Sequence, residues 1–215
     1  MHSFETKAIL FDLDGVLIDS TPCVTRVWTG WAIEHGYEPA EVVRIAHGRR
    51  AIETIQIVAP HLDSNTELRE VERRELDDTE GLVVVPGASD LLNSLPPDRW
   101  AIVTSGTRAL ATRRLQVAGL PVPGKMVTAD DVTLGKPNPA PYLAGATMLG
   151  LAPPDCVVVE DAPSGIRAAN AAGMRSFAVP TTYAAAELHE ATVLLRNLAQ
   201  LRPITNGNGS LTIFW

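Results

Sequence analysis

The sequence predicts an α/β protein in which helices cover both faces of a parallel, doubly wound sheet. Residues 8–11 form an unbroken apolar run, as expected of a strand buried on both faces. Short apolar runs alternate with helical patterns from residue 98 to 200, which is typical of such a sheet. We therefore expect a Rossmann-like core domain of residues 1–18 and 83–215. Residues 19–82, where only helical periodicity appears, are expected to form a small all-helical cap domain inserted after the first strand.

The cap segment contains four predicted helices. The first begins at Thr21-Pro22, because threonine is a good N-cap and proline suits the first helical turn, and it ends near Gly36. The other three follow Pro39, run from Ala51 to Pro60, and run from Asp63 or Ser64 to about Leu76. A helical insert at this point of the chain would lie above the carboxyl edge of the sheet, where it can act as a lid.

The core segment returns to strands after the cap. Residues 83–85 cross back from the cap to the core, and the further strands are predicted at residues 100–103, 126–129, 156–159 and 176–179, with helices between most of them. A last helix is predicted at residues 191–201, and Asn206-Gly207 indicates a β-hairpin near the end of the chain.

Two carboxylates follow the first strand, at Asp12 and Asp14. Residues two apart on a strand share a face, so both side chains are expected on one side of the sheet at its carboxyl edge, where open α/β sheets bind ligands. Two like charges so close repel each other, so either one carboxyl group is protonated or a cation lies between them. A hard cation such as Mg²⁺ is the simpler explanation. Taken alone, however, Asp12-Leu13-Asp14-Gly15 also fits an ordinary turn.

Other polar groups follow the later strands, and their presence makes an ordinary turn at residues 12–15 a less satisfactory explanation. They are Thr104 and Ser105, Lys136 on a Pro-rich loop, and Glu160 with Asp161. In a parallel sheet these strand ends meet at one edge, and together the groups suit phosphoryl transfer. Each group also has a structural alternative: helix capping for Thr104 and Ser105, a surface charge for Lys136, and an acidic helix N-terminus for the last pair.

The motifs resemble those of the haloacid dehalogenase superfamily, in the branch with a helical cap after the first motif. The matching stretches are Asp12-Leu-Asp14-Gly15-Val-Leu-Ile-Asp19-Ser20, Val103-Thr104-Ser105-Gly106-Thr107, Gly135-Lys136-Pro137-Asn-Pro139 and Glu160-Asp161-Ala-Pro-Ser164-Gly165. Within the superfamily, the chain is similar to the sugar- and polyol-phosphate phosphatases. The resemblance implies a phosphatase that acts on a small phosphorylated metabolite.

The resemblance also implies roles for the core residues. Asp12 would attack phosphorus and form an aspartyl phosphate, and Asp14 would protonate the leaving alcohol and later deprotonate the attacking water. Mg²⁺ would be held by the Asp12 carboxylate, the Asp14 backbone carbonyl and Asp161, with Glu160 binding directly or through water. The phosphoryl oxygens would be bound by Thr104, Ser105 and Lys136.

The cap carries a further set of candidate residues in His47-Gly48-Arg49-Arg50. Arg50 occupies the arginine position of the family's His-Gly-x-Arg pattern, so the resemblance implies that it contacts substrate or phosphate. Arg49 and His47 are weaker candidates for the same contact, with a solvated surface position as the alternative.

Two other functions fit part of the pattern. A phosphomutase resembling β-phosphoglucomutase would need a second phosphate clamp, which Arg49 and Arg50 could supply, but Ser105-Gly106-Thr107 lacks the lysine that such mutases carry nearby. A catalytically idle binding protein would not need the intact acid–base and metal residues. Dehalogenation is disfavoured because Asp14 is retained.

Composition limits the partners and the location. The net charge of −7 and the low aromatic content give no reason to expect nucleic acid, and no apolar run is long enough to span a membrane. The N-terminus lacks the pattern of a signal peptide, and the two cysteines fit no metal or redox spacing. We therefore expect a cytoplasmic protein. Composition does not determine its oligomeric state; a cap could let a monomer seal its own site, and a monomer or a small homo-oligomer is expected.

Overall fold

The structure is a computed structural model that describes residues 2–215. It confirms the predicted α/β class. In chain order, the strands are Ser3–Thr6 (β1), Ala8–Phe11 (β2), Ile18–Asp19 (β3), Val83–Val84 (β4), Trp100–Val103 (β5), Met126–Val127 (β6), Cys156–Glu160 (β7), Arg175–Ala178 (β8), Val193–Leu194 (β9), Arg202–Thr205 (β10) and Leu211–Phe214 (β11). The helices are Thr21–Glu34 (α1), Pro39–Ala46 (α2), Ala51–Val58 (α3), Ser64–Asp77 (α4), Ala88–Ser94 (α5), Arg108–Ala118 (α6), Ala140–Leu149 (α7) and Pro163–Ala171 (α8).

The main sheet has six parallel strands in the order β6-β5-β2-β7-β8-β9. The first strand of this sheet in the chain, β2, is therefore central and fully buried. Its side chains alternate: Ile9 and Phe11 pack with α5 and α6, whereas Ala8 and Leu10 pack with α7 and α8 on the opposite face. Two apolar cores thus cover the two faces of the sheet. The carboxyl ends of its strands are where open α/β sheets bind ligands.

The cap consists of helices α1 to α4 and has an apolar core of its own. Trp28 and Trp31 of α1 pack there with Val42, Ile55 and Val71, one from each of the other three helices. The chain enters and leaves this helical unit through β3 and β4, which pair antiparallel with Ile18 opposite Val84 and Asp19 opposite Val83. The domain limits expected from the sequence fall at this two-stranded ribbon, and we keep them as the proposed division.

A three-stranded antiparallel sheet joins the two ends of the chain in the order β1-β11-β10. The Asn206-Gly207 signal predicts this hairpin, whereas β1 was not predicted. Leu211 and Ile213 of β11 are completely buried in the larger core. The small sheet therefore extends the packing under the main sheet, on the side of α5.

The prediction of a last helix at residues 191–201 is wrong. Val193 and Leu194 instead form the edge strand β9 beside Phe177 and Ala178, and only residues 198–200 make a short 3₁₀ turn. Leu195, Leu198 and Leu201 are buried in the core. Strand pairing and this burial stabilise the segment more than the helical preference of its residues does, because such preferences amount to tenths of a kcal/mol each.

Across residues 2–215, no helix is both long enough and apolar enough to cross a bilayer.

Candidate active site

The predicted site residues gather at the carboxyl ends of three neighbouring strands. Asp12 follows β2 and Thr104 follows β5. Glu160 is the last residue of β7, and Asp161 follows it. Because β5 and β7 pair with β2 on either side, these side chains project from adjacent positions of one edge. The fold therefore brings together groups that are up to 149 positions apart in sequence (12 to 161).

Lys136 lies at the centre of the group and is 1% exposed. Its Nζ donates to Asp12 Oδ1 and to Glu160 Oε1, both at 2.7 Å, and to the Val103 carbonyl at 3.0 Å. Burial opposes the charge, but the attraction of Asp12 and Glu160 outweighs it and raises the pKa of Lys136 above its usual range. The lysine is therefore a buried permanent cation, not the surface charge of the structural alternative.

Three buried carboxylates surround this single cation. One oxygen each from Asp12, Glu160 and Asp161 lie within 4.8 Å of one another. Burial, followed by the charges of Glu160 and Asp14, raises the pKa of Asp12 to about 7, although Lys136 opposes the shift. Burial and the charges of Glu160 and Asp12 raise the pKa of Asp161 well above its usual range. With all three carboxylates ionised, the cluster would hold more negative charge than Lys136 neutralises.

Asp161 offers this cluster an unpaired oxygen. Its Oδ1 is buried and has no hydrogen-bond partner among residues 2–215. An unpaired buried carboxylate oxygen is costly unless a ligand satisfies it. Hard cations such as Mg²⁺ bind carboxylate and carbonyl oxygens, so the donor set suits the ion that the sequence predicts.

Glu160 differs from the other two carboxylates because both of its oxygens are already engaged. Oε1 accepts from Lys136 and from the Tyr142 hydroxyl at 2.7 Å. Oε2 accepts from the backbone N–H groups of Asp161 and Ala162 at 3.0 and 3.1 Å. This carboxylate therefore fixes Lys136 and the β7–α8 turn, and its role at the metal stays a prediction.

Gly15 completes the first motif by leaving room for the cluster. Its φ is +80°, a conformation that disfavours side chains, and a Cβ there would overlap the carboxylate of Asp161. Any other residue would displace a predicted metal ligand.

Asp14 lies at the rim of the cluster, with its side chain 25% exposed. Its Oδ1 accepts from the Ser20 hydroxyl and from Arg114 Nη1, both at 2.7 Å. It lines a cleft between the core and the cap, here called the active-site cleft, together with Asp12, Thr104 and Asp161. A partly exposed carboxylate that lines this cleft can exchange protons with a bound molecule.

Thr104 and Ser105 are not helix caps, because Thr107 caps α6 by accepting from the Leu110 N–H at 3.5 Å. Thr104 is buried, and its hydroxyl accepts from the Gly106 N–H at 3.0 Å. The hydroxyl of Ser105 donates to the Gly48 carbonyl in the cap at 3.2 Å. Their phosphate contacts stay a prediction, whereas Ser105 also joins the core to the cap.

The cap closes over the site through its 47–50 segment. The Gly48 carbonyl also accepts from Ser164 at 3.2 Å, and the His47 carbonyl accepts from Tyr183 at 3.3 Å. Gly48 has φ +72°, and a Cβ there would lie 2.7 Å from Ala162 Cβ. Only glycine allows this close approach of cap and core.

The three cap candidates all line the active-site cleft, but they differ in their partners. Arg50 Nη1 donates to the Thr133 carbonyl at 2.7 Å and lies 3.6 Å from Glu53 Oε1, so it holds the loop before Lys136. Arg49 forms no ion pair within residues 2–215, although its Nε donates to Ile45 O at 3.3 Å. Burial lowers the pKa of His47, which makes it a neutral ring near pH 7.

Two residues that contact the predicted site residues were not themselves predicted from the sequence. Tyr142 lies on α7 and carries no motif. Arg114 lies on α6 between the buried Leu110, Ala111 and Leu115, so a cation on the apolar face of a helix was the available signal.

Comparison with known proteins agrees with the motifs. A family model described as haloacid dehalogenase-like hydrolase matches residues 6–173. Hexitol phosphatase A of Escherichia coli is 43% identical over 96% of this chain and 98% of its own length. Glycerol-1-phosphate phosphohydrolase 2 of Saccharomyces cerevisiae is 36% identical over 84% of this chain and 77% of its own length. The crystal structure of a hydrolase from Pseudomonas syringae superposes with a TM-score of 0.81 at 24% identity, over 89% of this chain and 94% of that one, which shows a common fold.

Proposed function

Because the chain belongs to the haloacid dehalogenase-like hydrolase family, we propose that it is a Mg²⁺-dependent phosphatase of a small phosphorylated sugar or polyol. The observation that carries the proposal is the buried cluster in which Lys136 pairs with Asp12 and Glu160 beside the unpaired Asp161 oxygen. Relatives named for hexitol, glycerol and deoxyglucose phosphates support the substrate class.

The proposed reaction has two steps. An Asp12 oxygen attacks phosphorus, the bond from phosphorus to the alcohol oxygen breaks, and Asp14 gives a proton to the leaving oxygen. Asp14 then takes a proton from water, which attacks the aspartyl phosphate and releases Asp12 with inorganic phosphate. Lys136 keeps Asp12 oriented and neutralises charge on the phosphoryl oxygens.

The metal site is proposed from the same residues. Asp12, the Asp14 carbonyl and Asp161 would hold Mg²⁺, and Glu160, whose oxygens are engaged, would act through water. When bound, the ion supplies positive charge for the transferring phosphoryl group. The hydroxyl of Thr104 and the backbone at Ser105 are proposed to bind the same group.

The end of the active-site cleft near the cap favours a substrate that carries no charge apart from the phosphate group that is transferred. Glu72 of cap helix α4 and Asp130 of the core line this end, whereas the nearby Glu75 pairs with Arg114. Burial, and then the charge of Asp130, raises the pKa of Glu72. Carboxylates accept hydrogen bonds from hydroxyl groups but repel a second phosphate, so we propose that this end binds the hydroxyls of the substrate, with Arg49, Arg50 and His47 nearby.

Glu72→Gln is expected to weaken this discrimination. We compare the KM for a hexose bisphosphate with the KM for the matching monophosphate. Removing the charge of Glu72 should lower the ratio of the first KM to the second by about tenfold, which corresponds to about 1.4 kcal/mol of binding free energy. Steady-state kinetics on the two substrates measures this ratio. Glu41→Gln, an exposed cap residue on α2, is the matched control. If the ratio is unchanged in Glu72→Gln, the acidic residues at this end of the cleft do not select against a second phosphate.

The phosphomutase alternative requires a second phosphate clamp. Of the two cap arginines that line the cleft, Arg50 is engaged with Thr133 and Glu53, and Arg49 forms no ion pair within residues 2–215. One such arginine beside two glutamates makes a poor second clamp. The phosphatase is therefore the function that the geometry supports best.

The test is phosphate release with Mg²⁺ across a panel of sugar and polyol phosphates, beside Asp12→Asn. We expect turnover of one or a few substrates and a loss of at least about 1,000-fold in the variant, because its amide cannot act as the nucleophile. Isomer conversion on adding a bisphosphate, without phosphate release, would support the mutase. Equal release by both proteins would exclude Asp12 as nucleophile. A cytoplasmic location and a monomeric or small oligomeric state remain predictions.

A further inference from the structure

Arg114 is a buried cation that joins the candidate active site to the cap. It is 3% exposed and lies in the middle of α6. Its Nη1 donates to Asp14 Oδ1 at 2.7 Å, and its Nη2 lies 3.6 Å from Glu75 Oε1 on cap helix α4. Glu75 is itself 7% exposed. Among residues 2–215, no other arginine contacts a carboxylate of the first motif.

A purely structural role does not account for this arginine. Its Nε and Nη2 are buried without hydrogen-bond partners within the described chain, so the guanidinium is only partly satisfied. An incompletely paired buried charge destabilises a fold, and an apolar side chain of similar volume often stabilises it more. The neighbours Leu110, Ala111 and Leu115 already make this face of α6 apolar. What the arginine adds is its contact with Asp14 on the core and with Glu75 on the cap.

The contact fixes one oxygen of Asp14 and leaves the other available. Arg114 and Ser20 both donate to Oδ1, whereas Oδ2 receives no hydrogen bond from residues 2–215. Two donors on one oxygen hold the plane of the carboxylate. A carboxyl group that transfers a proton to a leaving oxygen must present its free oxygen in a defined direction, because proton transfer depends strongly on geometry.

We propose that Arg114 is a positioning residue that holds Asp14 for proton transfer and is itself held by Glu75 of the cap. The inference rests on the proposed phosphatase function. It ties the proton-transfer group to the position of the cap, because Glu75 lies on the cap and Asp14 and Arg114 lie on the core. Displacement of α4 removes the anion that holds the second arm of the guanidinium.

Leaving-group dependence tests the proposal. A polyol oxygen must be protonated as it leaves, whereas 4-nitrophenolate departs as a stable anion. The value of kcat/KM reports on steps up to the departure of the leaving group, so it isolates the first proton transfer. In Arg114→Met we expect kcat/KM to fall about 100-fold for a polyol phosphate and less than about threefold for 4-nitrophenyl phosphate.

Three further variants sharpen the test. Glu75→Gln should show the same selective loss in weaker form, because it loosens Arg114 without removing it. Arg114→Lys keeps the buried charge and should recover part of the polyol phosphate activity; it also serves if the methionine variant does not fold. Arg113→Met, an exposed arginine on the same helix, is the matched control and should behave as wild type.

The outcomes separate this inference from the proposed function. If the wild-type protein hydrolyses neither ester, the phosphatase assignment itself fails. If the wild-type protein hydrolyses both and the Arg114 variants lose both activities equally, or lose neither, Arg114 does not position Asp14. Selective loss for the polyol phosphate supports the role, because a general loss of folded protein would affect the two esters alike.

Discussion

Replacing Lys136 by methionine is expected to abolish turnover and to lower the free energy of unfolding by about 3–5 kcal/mol. The lysine is 1% exposed and pairs with both Asp12 and Glu160. Without it, two buried carboxylates lose their only cationic partner within the described residues. Breaking one side of a buried ion pair is costly for this reason, although methionine fills a similar volume. Denaturant unfolding and phosphate release on the same preparation measure the two effects.

Lys7→Met provides the matched control for this prediction. Lys7 pairs with Asp155 at 3.0 Å, but the two side chains are 51% and 35% exposed. Exposed ion pairs contribute about 0–1 kcal/mol, so the control should change neither stability nor activity appreciably. Equal destabilisation by the two substitutions would mean that the buried network contributes no more than a surface pair, which would contradict the interpretation of Lys136.

Replacing Asp161 by asparagine is expected to have opposite effects on stability and on function. In the metal-free protein, the substitution removes one of three crowded carboxylates and should raise the melting temperature at neutral pH. It should also remove turnover, together with most of the stabilisation by Mg²⁺. In wild type, Mg²⁺ at 100 times its Kd adds about 2.7 kcal/mol. Thermal unfolding with EDTA or with Mg²⁺ measures both effects, with the exposed Asp98→Asn as control.

The same cluster predicts how metal-free stability depends on pH. The pKa of Asp12 rises from 3.8 to about 7 in the folded protein, and that of Asp161 also rises. Below about pH 4 the carboxyls are protonated in both states. As the pH rises, the unfolded chain ionises first, so stability falls between about pH 4 and about pH 7. Melting temperatures measured with EDTA should decline across this range, and Mg²⁺ should reduce the decline.

Two results would contradict this account. One is a metal-free melting temperature that rises from pH 4 to 7. The other is an Asp161→Asn variant that is still stabilised by Mg²⁺ to the same extent as the wild-type protein. The first result would mean that ionisation of Asp12 and Asp161 does not govern the pH dependence of stability. The second would mean that Asp161 does not bind the metal.

The central motifs were predictable because topology places them. Once a run such as residues 8–11 is assigned to a parallel sheet, the residues after each strand must meet at one edge, so Asp12, Thr104 and Asp161 follow from strand order alone. Lys136 was predictable only through its motif, since it lies on a loop after a short strand. The structure adds its burial and its two carboxylate partners.

Other features depend on packing that the sequence does not display. Arg114 reaches Asp14 across 100 positions of sequence, and Tyr142 reaches Glu160 from a different helix. The engagement of Arg50 with Thr133 depends on how the cap lies on the core, which no local pattern encodes. The missed strand at residues 193–194 has the same cause, because an edge strand of two residues is defined by its neighbour β8 and not by its own composition.

The ribbon of β3 and β4 has a consequence for how such enzymes diversify. Because the chain leaves and re-enters the core on two paired strands, the intervening helices are equivalent, for the core, to one long hairpin connection. Lengthening a connection costs little, about 0.6 kcal/mol for each doubling. Insertions, deletions or wholesale exchange between residues 19 and 83 can therefore be inherited without disturbing the parallel strands. Selection can then change which molecules are recognised while the reactive groups keep their places.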